Sequence, residues 1–305
     1  MIELPPEMAA EQVLDLCTSG AAQLIAGSNA TRILGEKFGI EATQRPTNAD
    51  TVVAIGGGAL LDDAKYRVRE TQPDRRLICV PSIWGSGSEA SPVVVRWTDK
   101  GCEPILDQRY LPDFRAVIPA LADSVPHDLA RWACADAWSH ALEGLLSPLA
   151  DAELRSDLAE LTTRMLRLPV GSHPGWFELS ALACAGQARS SVGLVHGLAH
   201  TVEASRRSAG RNGGWSHGRY CAAFLLPVLR FDLESSDKAA TILSSAGVDI
   251  DATLKAAEAL WSRQDAEQLW PEVRELWRSV LRDQCTRTNV ALVRAASLDQ
   301  LIGGV

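Results

Sequence analysis

His196 and His200 stand four residues apart in the mostly apolar segment GLVHGLAHTVEA, Gly193 to Ala204. On a helix that spacing puts both imidazoles on one face. Asp136 and His140 repeat the spacing upstream in CADAWSHALEG, and His217 follows in WSHGRYCAAFLLP. A carboxylate and several imidazoles at helical spacing suit Fe2+ or Zn2+ in mixed oxygen and nitrogen coordination. Glu143 and Glu203 lie on the continuing faces and are reserve ligands. The structural alternative stands beside this: a lone histidine is more often a core residue, and an Asp–His pair can be a mere side-chain hydrogen bond. His127, beside a helix start, and His173, in the GSHPGW loop, are read as structural.

A second chemistry is suggested by glycine. TVVAIGGGALLDDAK reads as a strand, three glycines at 56–58 and a helix. Glycines there let backbone N–H groups approach a phosphate at a helix N-terminus. The stretch is neither a Walker loop nor a G-x-G-x-x-G fingerprint, and a tight turn explains it equally well. A second glycine-rich loop, VPSIWGSGSEAS from Val80 to Ser91, also follows a β-type run. Two such loops after neighbouring parallel strands line the carboxyl edge of a sheet, where ligands bind.

The elements that must carry these residues differ between the two ends of the chain. Before about residue 120, the β-type runs AQLIAG, TVVAI and LICVP alternate with the helical stretches ATRILGEKFG and ALLDDAKYRVRE. That alternation predicts βαβ units and a parallel sheet. Afterwards the pattern is helical: SVPHDLARWACADAWSHALEGLLS, with Ser124 as N-cap and Pro126 early in the first turn, then DAELRSDLAELTTRMLRL, WFELSALACAGQARSS and AEQLWPEVRELWRSVLRD. The expected fold is an α/β domain over 1–120, Rossmann-like and truncated, and an all-α domain over 121–305.

Composition bounds the function. The chain has 305 residues, 46% hydrophobic and 22% charged, with a net charge of −8. These values fit an ordinary globular protein and argue against nucleic acid as a partner. The basic cluster RRSAGRN, Arg206 to Asn212, reads as a solvated loop. Seven scattered cysteines without a C-x-x-C pair suit a reducing cytoplasm. The first residues, MIELPPEMAAEQ, do not read as a signal peptide, and no apolar run is long enough for a membrane.

Five stretches, AIGGGALLDDAK, VPSIWGSGSEAS, DAWSHALEGLLS, GLVHGLAH and SHGRYCAAFLLPVLRF, occur in an order that resembles the iron-containing (group III) alcohol dehydrogenase family. The resemblance runs from about Asp50 to Asp232. It implies a dehydroquinate synthase-like architecture, with the active site in a cleft between an α/β domain and a helical one. It implies metal ligands at Asp136, His140, His196 and His217, and a non-ligand catalytic histidine at His200. Cofactor contacts, to NAD or NADP, fall on Gly57, Gly58, Asp62, Ser82 and Ser86. The implied reaction moves a hydride between NAD(P)H and an alcohol or aldehyde, with Fe2+ or Zn2+ polarising the substrate oxygen. The partner is then a small molecule, and a homodimer is the candidate assembly.

This sequence departs from the family pattern in several places. Ala59 follows the three glycines where the family has Ser, and the second loop carries Trp84. Cys102, Glu103 and Pro104 stand where a cofactor-linked Lys is expected. The Trp- and Arg-bearing stretch before His217 is longer than usual; it is a candidate wall for a specialised aldehyde pocket, an anionic substrate included. Between FGIEATQRPTNAD and the next β-run there is no room for a further strand and helix, which would supply an acidic ribose contact. Two rival readings remain: a glycerol-phosphate dehydrogenase or dehydroquinate synthase type of enzyme, and a non-catalytic metal-binding partner protein with weakened cofactor binding.

Overall fold

The computed structural model describes residues 1–40, 49–98 and 101–303. The chain opens with helix α1 (Ala10–Ser19), strand β1 (Ala22–Ala26), α2 (Ser28–Phe38), β2 (Thr51–Gly56), α3 (Gly58–Thr71) and β3 (Arg76–Pro81). The hairpin β4 (Val93–Thr98) and β5 (Gly101–Leu106) follows, then β6 (Phe114–Arg115) and the short α4 (Pro119–Ala122). The rest is helical among the described residues: α5 (His127–Leu146), α6 (Ala152–Met165), α7 (Gly175–Gln187), α8 (Leu194–Ser208), α9 (His217–Ser235), α10 (Asp237–Ser245), α11 (Ile250–Leu260), α12 (Arg263–Val280) and α13 (Ser297–Gly303). None of these helices is long and apolar enough to cross a membrane.

The sheet is parallel, in the order β1-β2-β3-β6. Alternate residues of a strand point to opposite faces, so both faces of β2 and β3 must be apolar. Val53, Ile55, Ile78 and Val80 pack with Val13, Ile33 and Leu34 of α1 and α2. Val52, Ala54, Leu77 and Cys79 pack with Leu61, Ala64 and Val68 of α3 on the other face. The alternation in the sequence thus becomes a sheet covered by helices on both sides. The antiparallel β4–β5 pair was not foreseen. Val93, Val94 and Val95 of β4 are a short apolar run, but most residues of the pair are partly exposed, and Glu103 and Pro104 break any strand pattern in β5.

The stretch between α2 and β2 includes residues 41–48, so the expected deletion there falls partly outside the described residues. In the described part, β1 leads through α2 to β2, its direct neighbour in the sheet.

The large helical core is built around α5, which is buried on nearly all sides from Ala133 to Leu146. Its alanines favour the helix and let α7 and α9 approach closely. Ser124 does not cap this helix. Pro126 holds the cap position, and the Ser124 hydroxyl donates instead to the Leu121 carbonyl at 2.8 Å. The intervening turn of α4 claims it. The chain also crosses back early: Ile2 is part of the helical core rather than of the sheet.

Candidate active site

A cleft of about 910 Å³ lies between the carboxyl edge of the sheet and the helical core. The expected cofactor, metal and catalytic residues line it: Gly57, Gly58, Asp62, Ser82, Ser86, Asp136, His140, His196, His200 and His217; of the two reserve ligands, Glu203 does and Glu143 does not.

At the sheet end, α3 begins at Gly58 with no side chain capping it. Its first turn therefore presents backbone N–H groups to the cleft. The two glycine-rich loops are held together there. Ser82 N–H donates to the Gly56 carbonyl at 2.9 Å, and a Cβ on Gly58 would stand 2.5 Å from Ser86 Oγ. Gly58 is thus required by close approach. Gly85, at φ +108°, lies where a Cβ would stand 2.8 Å from the Ala133 carbonyl of α5. The second loop is thereby docked on the helix that carries Asp136 and His140. Trp84, the added aromatic, is a core residue with its ring edge-on to Phe177 at 5.5 Å.

Asp62 behaves differently from the expected cofactor contact. One of its oxygens accepts from Ser88 Oγ, the other from Val95 N–H at 3.0 Å. Lys65, fully buried, lies 3.1 Å from it and donates to the carbonyls of Ser88, Ser91 and Val93. A buried ammonium needs this full set of acceptors. The pair ties α3 to the second loop and the hairpin, so the phosphate-type contacts are left to Gly57, Gly58, Ser82 and Ser86.

At the helical end, three helices converge. Asp136 comes from the middle of α5, His196 from the first turn of α8, and His217 from the first residue of α9. Asp136 Oδ1 lies 3.7 Å from His196 Nε2 and 3.8 Å from His217 Nε2. Cys221, one turn after His217, joins them: one donor atom from each of these four residues lies within 4.8 Å of all the others. His196 Nε2 is buried and lacks a hydrogen-bond partner. A buried nitrogen left so, facing a carboxylate and a second imidazole, fits a divalent cation.

His140, an expected ligand, is outside that four-residue group. Its ring stacks on His196 with centroids 4.6 Å apart, and its Nδ1 faces the Gly85 carbonyl at 3.3 Å. His200 is also outside it, stacked on His217 at 5.2 Å with Nδ1 3.8 Å from Cys285 Sγ.

Glu143 and Glu203 are not ligands. Glu143 Oε2 accepts from His196 Nδ1 at 2.6 Å, and Glu203 Oε2 accepts from His217 Nδ1 at 2.9 Å. Each carboxylate fixes its imidazole with Nε2 toward the shared point. The signal was present in the sequence, since Glu143 is seven residues from Asp136 and Glu203 seven from His196. That is two helical turns, hence the same face, but the spacing could not separate a ligand from a ligand's support.

The electrostatics follow burial and these pairings. Burial would lower the His196 pKa, but the Glu143 and Asp136 carboxylates outweigh it and raise it to about 9. Burial lowers His140 to about 4 and holds His200 well below its ordinary value, so both rings are neutral at pH 7. Burial opposes ionisation of Asp136, yet the surrounding histidines hold its carboxyl below the usual range.

In the stretch before His217, residues 207–211 are exposed, as expected of a solvated segment, but its two ends are pinned. Arg206 is buried in α8 and pairs with Glu272 at 2.7 Å; Arg219 grips Asp265 through two contacts of 2.7 and 2.9 Å. Both guanidinium groups lie over Trp215, at 4.8 and 4.0 Å. Carboxylates of α12 thus neutralise these arginines, and Trp215 is not on the cleft wall. Neither offers an unpaired charge to an anionic substrate. The wall is made instead by the hairpin, through Trp97, Pro104 and Leu106. His127 is exposed at the start of α5, and His173 Nδ1 accepts from the Gly175 N–H at 3.1 Å, both as expected of structural histidines.

Residues 39–119 match the family model described as iron-containing alcohol dehydrogenase. The chain is 28% identical over 207 residues to 1-propanol dehydrogenase PduQ of Salmonella typhimurium, a match covering 63% of this chain and 54% of that enzyme. It is 27% identical over 301 residues to the probable alcohol dehydrogenase EutG of Escherichia coli, covering 86% and 73%. The chain therefore spans about half the length of the first of these relatives. In fold it is similar to the iron-containing alcohol dehydrogenase of Corynebacterium glutamicum, with a TM-score of 0.79 at 17% identity and coverage of 99% and 94%.

Proposed function

We propose that this chain, similar to iron-containing alcohol dehydrogenases over residues 39–119 and in its fold, is a metal-dependent oxidoreductase of that family that interconverts an aldehyde and an alcohol, with NAD or NADP as hydride partner. One observation carries the reading: a single cleft holds an uncapped helix N-terminus between two glycine-rich loops at one end and a buried carboxylate–imidazole group at the other. The distance between them is spanned by one continuous cavity.

The backbone N–H groups at Gly57 and Gly58 and the hydroxyls of Ser82 and Ser86 would take the cofactor's pyrophosphate. Asp136, His140, His196 and His217 would hold the divalent ion, Fe2+ or Zn2+; with His140 Nδ1 on the Gly85 carbonyl, its Nε2 is left for the ion. When bound, that ion supplies polarisation of the substrate oxygen and favours its alkoxide form. Glu143 and Glu203 keep the two imidazoles aimed. His200 is neutral and has Nδ1 on Cys285, so its Nε2 is the nitrogen left to exchange a proton at the substrate oxygen. The hairpin residues Trp97, Pro104 and Leu106 help to exclude water from the cleft. Arg207, the arginine among the described residues that lines the cleft, is paired with Glu203 at 2.7 Å, which favours a neutral substrate over a phosphorylated one.

The test is the metal-loaded chain with a small aliphatic aldehyde and NADH or NADPH. Consumption of the reduced nicotinamide is expected, with loss on chelation. A protein that binds neither nucleotide and turns over no aldehyde would instead be a non-catalytic metal-binding protein.

A further inference from the structure

Gln187, the last residue of α7, is 8% exposed and lines the cleft. It packs against α5 one turn beyond His140, where a Cβ on Gly144 would stand 3.2 Å from the Gln187 Cβ. A carboxamide offers two N–H donors and an oxygen with two lone pairs. Among the described residues its side chain makes one contact, the weak approach of Nε2 to Cys184 Sγ at 3.7 Å. The oxygen and the second N–H are left for an occupant of the cleft. Four residues on, Ser191 also lines the cleft, at φ +143°, the one positive φ outside glycine among the described residues. Its N–H donates to the Gln187 carbonyl at 2.8 Å, and Ser190 Oγ donates to the Gly144 carbonyl at 3.2 Å. Ser191 Oγ lies 3.0 Å from Thr288 Oγ1, whose single proton goes to the Val192 carbonyl at 2.6 Å. Ser191 therefore donates to Thr288 and keeps its lone pairs free. A backbone shape that favours glycine but carries a hydroxyl points to a use for that hydroxyl.

We propose that Gln187 and Ser191 form a subsite for a second hydroxyl, so that the substrate is a short hydroxyaldehyde and its diol rather than a plain aliphatic aldehyde. The inference rests on the dehydrogenase reading of the cleft and names its substrate class. Both residues stand where α7 hands over to α8, and His196 follows Ser191 by five residues. The metal end of the cleft and this amide–hydroxyl pair are thus close enough along the chain to meet two oxygens of one small molecule. A hydroxyl has one proton and two lone pairs. It can donate to the Gln187 oxygen or to Ser191 Oγ and accept from Gln187 Nε2. Ala188 and Val192, which line the same part of the cleft, suit the carbon chain between the two oxygens. Neither polar side chain is charged, so a neutral hydroxyl is matched here and a carboxylate or phosphate finds no counter-charge in this pair.

The metal-loaded chain is assayed with 1-propanol, 1,2-propanediol and 1,3-propanediol, with NAD+ or NADP+ as oxidant, and binding of the same alcohols is followed by ligand-observed NMR. The better diol is expected to exceed 1-propanol by at least about tenfold in kcat/KM and in affinity, since an alcohol without the second hydroxyl leaves the buried amide unpaired. Gln187→Met, similar in shape and without the amide, is expected to erase that preference, the KM of the diol rising toward that of 1-propanol. Ser191→Gly is expected to melt no lower than wild type, because glycine adopts this φ freely, and still to weaken the preference for the diol. Equal handling of 1-propanol and both diols, a preference that survives both substitutions in folded chains, or no diol binding at all would overturn the proposal. Selective diol binding that the variants lose, without turnover of any alcohol, upholds the subsite and counts against the dehydrogenase reading. Turnover of 1-propanol without a preference for either diol does the reverse.

Discussion

Glu143 Oε2 accepts a hydrogen bond from His196 Nδ1 at 2.6 Å, with both side chains buried. The other oxygen of the same carboxylate accepts from the Val195 N–H, also at 2.6 Å. One side chain of α5 therefore fixes both the start of α8 and the ring that α8 contributes to the centre. Glu143→Gln has one acceptor oxygen for two donors, so its amide must oppose one of them. A stability loss of about 1–3 kcal/mol is expected. Metal affinity is expected to fall about 10–100-fold, as for other partners that orient a ligand. Chelator competition on the folded variant measures this; unchanged affinity would show that His196 needs no such support.

The two histidines of α8 are expected to separate by experiment. His196→Ala removes a donor and is expected to lose most bound metal. His200→Ala is expected to keep its metal and lose turnover, since its ring lies outside the donor group. Elemental analysis of both variants decides this. Equal metal loss would mean that both rings ligate and that the donor set is misassigned.

Cofactor choice is expected to be weak. Discrimination against a 2′-phosphate normally needs a free carboxylate near the adenosine ribose. Among the described residues lining the cleft, the carboxylates are Asp62, Asp136 and Glu203, and all three are engaged within the protein. NADH and NADPH are therefore expected to bind within about tenfold of one another, a difference of about 1.4 kcal/mol or less. Calorimetric titration with each nucleotide tests the point. Strong selectivity would identify a ribose contact made by some other residue.

Asp232 offers a pH test away from the centre. Burial pushes its pKa up to about 8, against the opposing hydrogen bond from Asn289 Nδ2 at 2.6 Å. The folded chain thus holds a proton that the unfolded chain releases above the ordinary value of 3.8. The resulting contribution favours folding below that value and is lost as pH rises toward and through 8. Asp232→Asn has no such proton to lose. Its melting temperature is expected to rise relative to wild type as the pH is raised across this range. Parallel pH profiles for the two proteins would show that Asp232 ionises normally.

The sequence by itself determined the local pieces, because their signals are local. A continuous apolar run in TVVAI and LICVP, three glycines between strand and helix, and pairs such as Asp136 with His140 are properties of a few consecutive residues. Each became the element expected, and each expected cofactor, metal and catalytic residue reached the cleft. The tertiary structure decided how the pieces meet. Cys221 sits 85 positions from Asp136, and only the packing of α5 against α9 brings its sulfur to 3.6 Å from that carboxylate. The packing of α8 against α5 and α9 makes Glu143 and Glu203 supports for imidazoles, and the packing of α3 against the second loop and β4 turns Asp62 inward to Ser88, Val95 and Lys65. Helical spacing fixes which face a side chain occupies; which atom that face meets depends on a neighbouring helix whose position no local pattern encodes.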